Sequence, residues 1–172
     1  MEDLSVCRNM TNLSVIRAED CRLKSLQGLQ DKPLKEVYLA DNELFHITAL
    51  SRLEDYCTVD LRNNNLRNIE SLPDVRYTFL ALNGEGNDVI LDDFLNREKT
   101  WITGLSLNYS DSLITEGSKL KNLTSYTYVV GCPQDKKLKT AEALGSNRTA
   151  FMTNERLNEL FSGYGMDPYS WG

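Results

Sequence analysis

Two consecutive stretches, LKEVYLADNELFHITALSRL at 34–53 and YCTVDLRNNNLRNIESLPDV at 56–75, carry apolar residues at matching places with an asparagine between them. Superposed, they give the frame L-x-x-L-x-L-x-x-N-x-L, filled by Leu34, Val37, Leu39, Asn42 and Leu44 and again by Tyr56, Val59, Leu61, Asn64 and Leu66. Upstream, Leu13, Ile16, Ala18, Cys21 and Leu23 fit it, with Cys21 in the asparagine place. Downstream the match weakens but keeps step through Tyr77, Leu80, Leu82, then Ile102, Leu105, Leu107, then Leu123, Tyr126, Tyr128. A last frame runs Asn147, Ala150, Met152, Glu155, Leu157. Frame starts thus fall at 13, 34, 56, 77, 102, 123 and 147.

The L-x-L alternation puts two apolar side chains on one face of a short extended segment, and neighbouring repeats are predicted to lay those segments side by side as a parallel sheet. One repeat cannot bury its own leucines; stacking several does, which predicts a quasi-one-dimensional solenoid. Cys21, Asn42 and Asn64 then form a structural ladder, because a polar group turned inward must bond the backbone where the chain leaves the strand. Helices are expected where the frame breaks. NGEGNDVILDDFLNREKTW at 83–101 is longer than the norm, and Asp92 and Asp93 suit the N-terminus of a helical turn. Pro133 and Gly145 bracket a helix over about 134–144. Thr153 is an N-cap for TNERLNELFSG, with Leu157, Leu160 and Phe161 as its apolar face and Gly163 as its stop.

This pattern resembles the leucine-rich repeat family, strongly over 13–75 and weakly over 76–157, and the tails LKSLQGLQD, LFHITALSRL and LRNIESLPDV resemble its 22-residue, internalin-like class. The resemblance implies an α/β solenoid: a right-handed superhelix with a parallel sheet of about seven short strands, convex turns and short helices, and a C-terminal helical cap. One domain is expected, with residues 1–12 as an N-terminal cap or partial repeat, 13–133 as repeats, and 134–172 as a helix-strand-helix cap and tail. The steps Leu4, Cys7, Met10, Leu13 match the second half of a repeat, so the opening residues read as a modest cap or as the cut end of a longer array.

At 172 residues, 41% apolar and 26% charged, the chain is of ordinary one-domain composition. A net charge of −6, without a cluster of Lys and Arg, argues against nucleic acid. No run of 18 apolar residues suggests membrane insertion and the acidic start is unlike a secretory signal, so the reading is cytoplasmic as written and extracellular or cell-surface if the chain is part of a longer protein. Five N-x-S/T sequons, beginning at Asn9, Asn12, Asn108, Asn122 and Asn147, bear only on the second case. Four widely spaced cysteines and one histidine, His46, fit reduced thiols better than a zinc site, and no metal or cofactor is expected. ALNGEGND lacks the pattern of a phosphate loop, and no nucleophile with its base is marked, so the chain is not read as an enzyme.

The informative surface is the concave sheet face, defined by the x positions of the frame. There we place Arg17, Glu19, Glu36, Tyr38, Asp60, Arg62, Phe79, Asn83, Asn108 and Tyr109 as partner-binding residues, with Asp20, Ala40, Asp41, Asn63, Ala81, Ser106, Thr127 and Val129 around them. Tyr38, Arg62, Phe79 and Tyr109 are of the types that anchor interfaces. The expected function is protein–protein interaction through this face. The alternatives are the recognition domain of a larger internalin-like surface protein and a regulatory subunit of an enzyme.

Overall fold

In the computed structural model, which describes residues 2–89, 91–94 and 96–162, seven strands form a single sheet in the order β1-β2-β3-β4-β5-β6-β7. They are β1 (Val15–Arg17), β2 (Leu34–Tyr38), β3 (Leu53–Asp60), β4 (Arg76–Ala81), β5 (Trp101–Asn108), β6 (Thr124–Val130) and β7 (Thr149–Met152). Every neighbouring pair is parallel. The sheet is open, with β1 and β7 as its edges. Sequence order and spatial order therefore coincide.

The frame's leucines make one continuous core. Val37, Leu39, Val59, Leu61, Leu80, Leu82, Leu105 and Leu107 point into it from the sheet, and Leu26, Leu29, Ile47, Leu50, Ile69 and Leu72 close it from the returning segments. Residues 112–144 contribute Leu113, Leu120 and Leu144 to the same core, through the helices α1 (Ser112–Glu116) and α2 (Lys137–Leu144) and a 3-10 turn between them (Gly117–Asn122). A 3-10 turn at Leu91–Phe94 carries Asp92 and Asp93 at its start. The third helix, α3 (Asn154–Ser162), follows β7; the Thr153 hydroxyl accepts the Arg156 N–H at 3.1 Å and so acts as the cap expected of it. The expected stop at Gly163 and the tail lie outside the described residues. At the front, Leu4 and Cys7 are buried but Met10 is half exposed.

Local chemistry explains how each repeat leaves its strand. Asp20, Asp41 and Asn63 have φ of 52°, 60° and 53°, and Gly84 has φ 129°; they occupy the same frame position in four successive repeats. This is the left-handed region, which Asn, Asp and Gly enter at least cost. One residue further on, Asn42 and Asn64 turn inward as expected. The Asn42 Oδ1 accepts the N–H groups of Cys21 and Leu23 at 3.1 and 2.9 Å, while its Nδ2 donates to the carbonyls of Ala18 and Leu39 at 2.8 and 3.0 Å. Asn64 repeats this, accepting from Leu44 and donating to Leu39 and Leu61. Cys21, the rung above, donates its thiol to the Glu19 carbonyl at 3.2 Å. Asn87, unassigned by the frame, is the next rung: it accepts from Leu66 and donates to Leu61 and Leu82. Two residues inserted after Gly84 shift it out of step.

The expected placement is corrected in three strands, β3, β6 and β7. Tyr56 does not fill the frame's first leucine slot; it is exposed with φ 62°, and Cys57, which pairs with Tyr77, goes inward instead. In β6 the register runs one residue later than the frame, pairing Leu105 with Thr127 and Leu107 with Val129. Thr127 and Val129, expected on the open face, are therefore buried inside, and Tyr126 and Tyr128 take the opposite face. The slip continues into β7, where Thr149 and Phe151 align with Thr127 and Val129 and leave Ala150 and Met152 facing outward. Because side chains alternate along a strand, a one-residue slip exchanges the two faces completely.

Candidate functional site

The sheet face turned away from the main core carries three rows of side chains running across the strands. Parallel register aligns Glu36, Thr58, Phe79, Gly104 and Tyr126 in one row, and Arg17, Tyr38, Asp60, Ala81, Ser106, Tyr128 and Ala150 in the next. A third row continues two residues on, through Arg62, Asn83, Asn108, Val130 and Met152. Most of the residues expected to bind a partner are thus brought onto one surface.

That surface is largely covered by α3. Tyr38, Phe79, Ala81, Tyr128, Leu157 and Phe161 form a second apolar cluster, separate from the main core, with Val130, Ala150, Met152 and Leu160 packed around it. The Phe161 ring meets Phe79 edge-on at 5.3 Å between centroids and Tyr38 at 6.5 Å. Within α3, Asn154, Leu157, Asn158 and Phe161 lie at i, i+3, i+4 and i+7, a single stripe aimed at the sheet. The two asparagines bond what the two apolar residues do not: Asn158 Oδ1 accepts from Arg62 Nη1 at 2.9 Å, and Asn154 Oδ1 accepts from Asn83 Nδ2 at 2.7 Å. Glu155, Arg156 and Glu159 face solvent, with Arg156 and Glu159 paired at 2.9 Å.

Of the predicted site residues, Tyr38, Asp60, Arg62, Phe79 and Asn83 are buried, each at 3% exposure or less. They were expected open to solvent; the chain's own last described helix closes them off. Arg62 forms a two-pronged ion pair with Asp60, Nε to Oδ1 at 2.9 Å and Nη2 to Oδ2 at 3.0 Å, and its guanidinium lies 4.5 Å from the Phe161 centroid. Burial pushes the Asp60 carboxyl above its ordinary 3.8, opposed by the Arg62 fork. The Tyr38 hydroxyl donates to Glu36 at 2.7 Å, and burial together with that bond raises its pKa. Gly104 makes room for the cluster, since a methyl group there would collide with the Phe79 ring.

Among the described residues, the edge beyond α3 is left uncovered. Arg17 stacks on Tyr38, 3.9 Å from its centroid, and pairs with Glu19 at 2.9 Å; both are partly exposed, as is Glu36. Asn108 is turned to the backbone, accepting the Gly84 N–H at 2.7 Å and donating to the Gly84 carbonyl at 2.8 Å, so it fastens the turn. Tyr109 packs against the main core, with its hydroxyl donated to Asp111 at 2.6 Å; that bond and partial desolvation push its pKa up to about 12. Trp101, Tyr56 and Tyr126 are exposed aromatics on β5, β3 and β6.

A cleft of about 630 Å³ is lined by Glu70, Leu72, Asp74, Asp92, Asp93, Asn96 and Arg97. Arg97 there is committed to structure, donating to the carbonyls of Ile69, Leu72 and Asp93 at 2.8, 2.6 and 3.0 Å. Among the described residues no group of three or more His, Cys, Asp or Glu is placed to hold a metal ion, and no helix is long and apolar enough to cross a membrane. His46 is exposed on a turn, and all four cysteines are unpaired, Cys7 and Cys57 being buried.

Comparison with protein-family models, with curated proteins and with solved structures finds no match to this chain. The class that the geometry defines is an α/β protein with one open, all-parallel seven-stranded sheet.

Proposed function

We propose that this chain is a leucine-rich repeat solenoid that acts as a non-enzymatic protein-binding module, and that its partner is engaged through the sheet face bearing Tyr38, Asp60, Arg62, Phe79 and Asn83. The observation that carries this reading is the second apolar cluster. Three aromatic rings, Tyr38, Phe79 and Tyr128, and the Asp60–Arg62 ion pair gather on the sheet face away from the main core, where α3 covers them, and such groups are the usual anchors of protein interfaces. Arg17, Glu19 and Glu36 at the open edge would set specificity and on-rate.

Affinity capture with the full chain, followed by mass spectrometry, tests the reading. A prey retained by the intact chain and by a variant substituted on the far side, His46→Ala with Arg67→Ala, but lost with Tyr38→Ala and Arg62→Ala, supports it. A prey indifferent to the latter pair counts against this face as the binding surface.

A further inference from the structure

We propose that the outer edge of β1 is a seat for one extended segment of a partner protein, a strand whose side chains alternate between apolar and basic. This site lies at the end of the sheet, apart from the face assigned above, and it stands whether or not that face binds.

Backbone alternation leaves this edge unpaired. The N–H groups of Ala18 and Asp20 turn toward β2 and donate to the carbonyls of Tyr38 and Ala40 at 3.0 and 3.1 Å. Those of Val15, Arg17 and Glu19 therefore turn the other way, and among the described residues nothing accepts them. The carbonyls of Val15 and Arg17 lie on the same outer side and receive no donor among the described residues. Such a row of donors and acceptors is a template for one further strand.

The shape of this end decides what can use the template. Residues 2–10 supply the returning half of a layer that has no strand half among the described residues. The Glu2 carbonyl accepts the N–H groups of Lys24 and Ser25 at 2.9 and 3.1 Å, the Leu4 N–H donates to Gln27 at 3.0 Å, and Leu4 and Cys7 enter the main core. Gly28, with φ 111°, lets that segment close in, since a methyl group there would collide with the Leu4 carbonyl. A second copy of this chain would bring its strand together with a returning segment of its own, and that segment would run into residues 2–10. A lone extended segment meets no such obstacle.

What the strand faces sets its side chains. On the core side it lies over Leu13 and Ile16, which are only partly buried against the main core, so alternate residues are apolar. On the other side β1 leads into Glu19 and exposed Asp20, with Glu36 beside them on β2, while Arg17 is already paired with Glu19 and stacked on Tyr38. Carboxylates outnumber the cation there, so the intervening residues are basic.

The probe is the peptide Thr-Val-Lys-Val-Lys-Val-Thr, blocked at both ends, titrated against the intact chain and followed by amide exchange. In the free chain the amides of Arg17 and Glu19 should exchange at least a hundredfold faster than that of Ala18, and saturating peptide should slow both at least tenfold. Val15→Pro removes an outward N–H and leaves the bonds to β2 in place, so it should weaken binding at least fivefold while Ala18 stays protected. Glutamate in place of the two lysines should weaken it at least as much. Slow exchange of Arg17 and Glu19 in the free chain overturns the proposal, because the seat is then already filled. Failure of the peptide to bind overturns it too, as does equal binding of the lysine and glutamate peptides. Self-association of the chain that protects the same amides would give the edge to a second copy and end the proposal.

Discussion

At the residue scale, the asparagine rungs and one glycine do the most specific work. Asn64 is buried and bonds a strand carbonyl of its own repeat, a carbonyl of the previous repeat and the N–H of Leu44. Asn64→Ala strands all three in the interior, so we expect a loss of about 3 kcal/mol, on the scale of roughly 1–3 kcal/mol per orphaned buried group, read as a shift in the urea midpoint at unchanged slope. Gly104 works differently: its missing side chain is filled by the Phe79 ring, which in turn supports Phe161. Gly104→Ala should cost about 1–3 kcal/mol as an overpacking substitution. It should also loosen α3, seen as faster amide exchange there with little change in β2 and β3.

At the element scale the register of β6 and the seat of α3 are the points at issue. If Thr127 and Val129 face the core and Tyr126 faces out, two similar substitutions on one strand must differ sharply. Val129→Asp buries a carboxylate without a partner and should cost more than about 3 kcal/mol, whereas Tyr126→Asp, at an exposed position, should stay within about 0.5 kcal/mol. Thermal unfolding of the two variants decides it; the reverse order would restore the unslipped frame. For α3, burying Leu157 and Phe161 supplies roughly 2 kcal/mol each. That is enough to dock a short helix on the sheet.

At the scale of the whole molecule, several ionisable groups are buried neutral, and their effects share one sign. Burial pushes the Cys57 thiol from 9.0 up to about 12, and it raises Tyr38, Tyr77 and Tyr128 above their ordinary 10.0. The folded chain therefore holds protons that the unfolded chain releases. Their contribution is fully present below about pH 9 and is lost as pH rises through the raised values. Urea midpoints should be flat from pH 7 to 9 and fall steadily toward pH 12, and Cys57→Ala should make the fall shallower. A midpoint that rises in that range would refute the buried, neutral assignment.

What the sequence determined by itself was everything governed by neighbours along the chain. The apolar frame of 13–75 specified the strands β1 to β3 and their inward leucines. Asn42 and Asn64 marked the inward rungs, and Thr153 marked where α3 begins. Where the frame's leucines gave way to Tyr and Thr, near 123–130, either face of the strand was nearly as apolar as the other, and only pairing with β5 chose between them. Nor did any local signal say where α3 would rest. Its stripe of Asn154, Leu157, Asn158 and Phe161 showed that it needed a surface, but the surface is assembled from Tyr38, Arg62, Phe79, Asn83 and Tyr128, which meet only once the sheet has formed. Tertiary structure therefore decided that Tyr38, Asp60, Arg62, Phe79 and Asn83, expected to lie open for a partner, are already covered, because burying three aromatic rings and an ion pair under the chain's own helix is more favourable than leaving them in water.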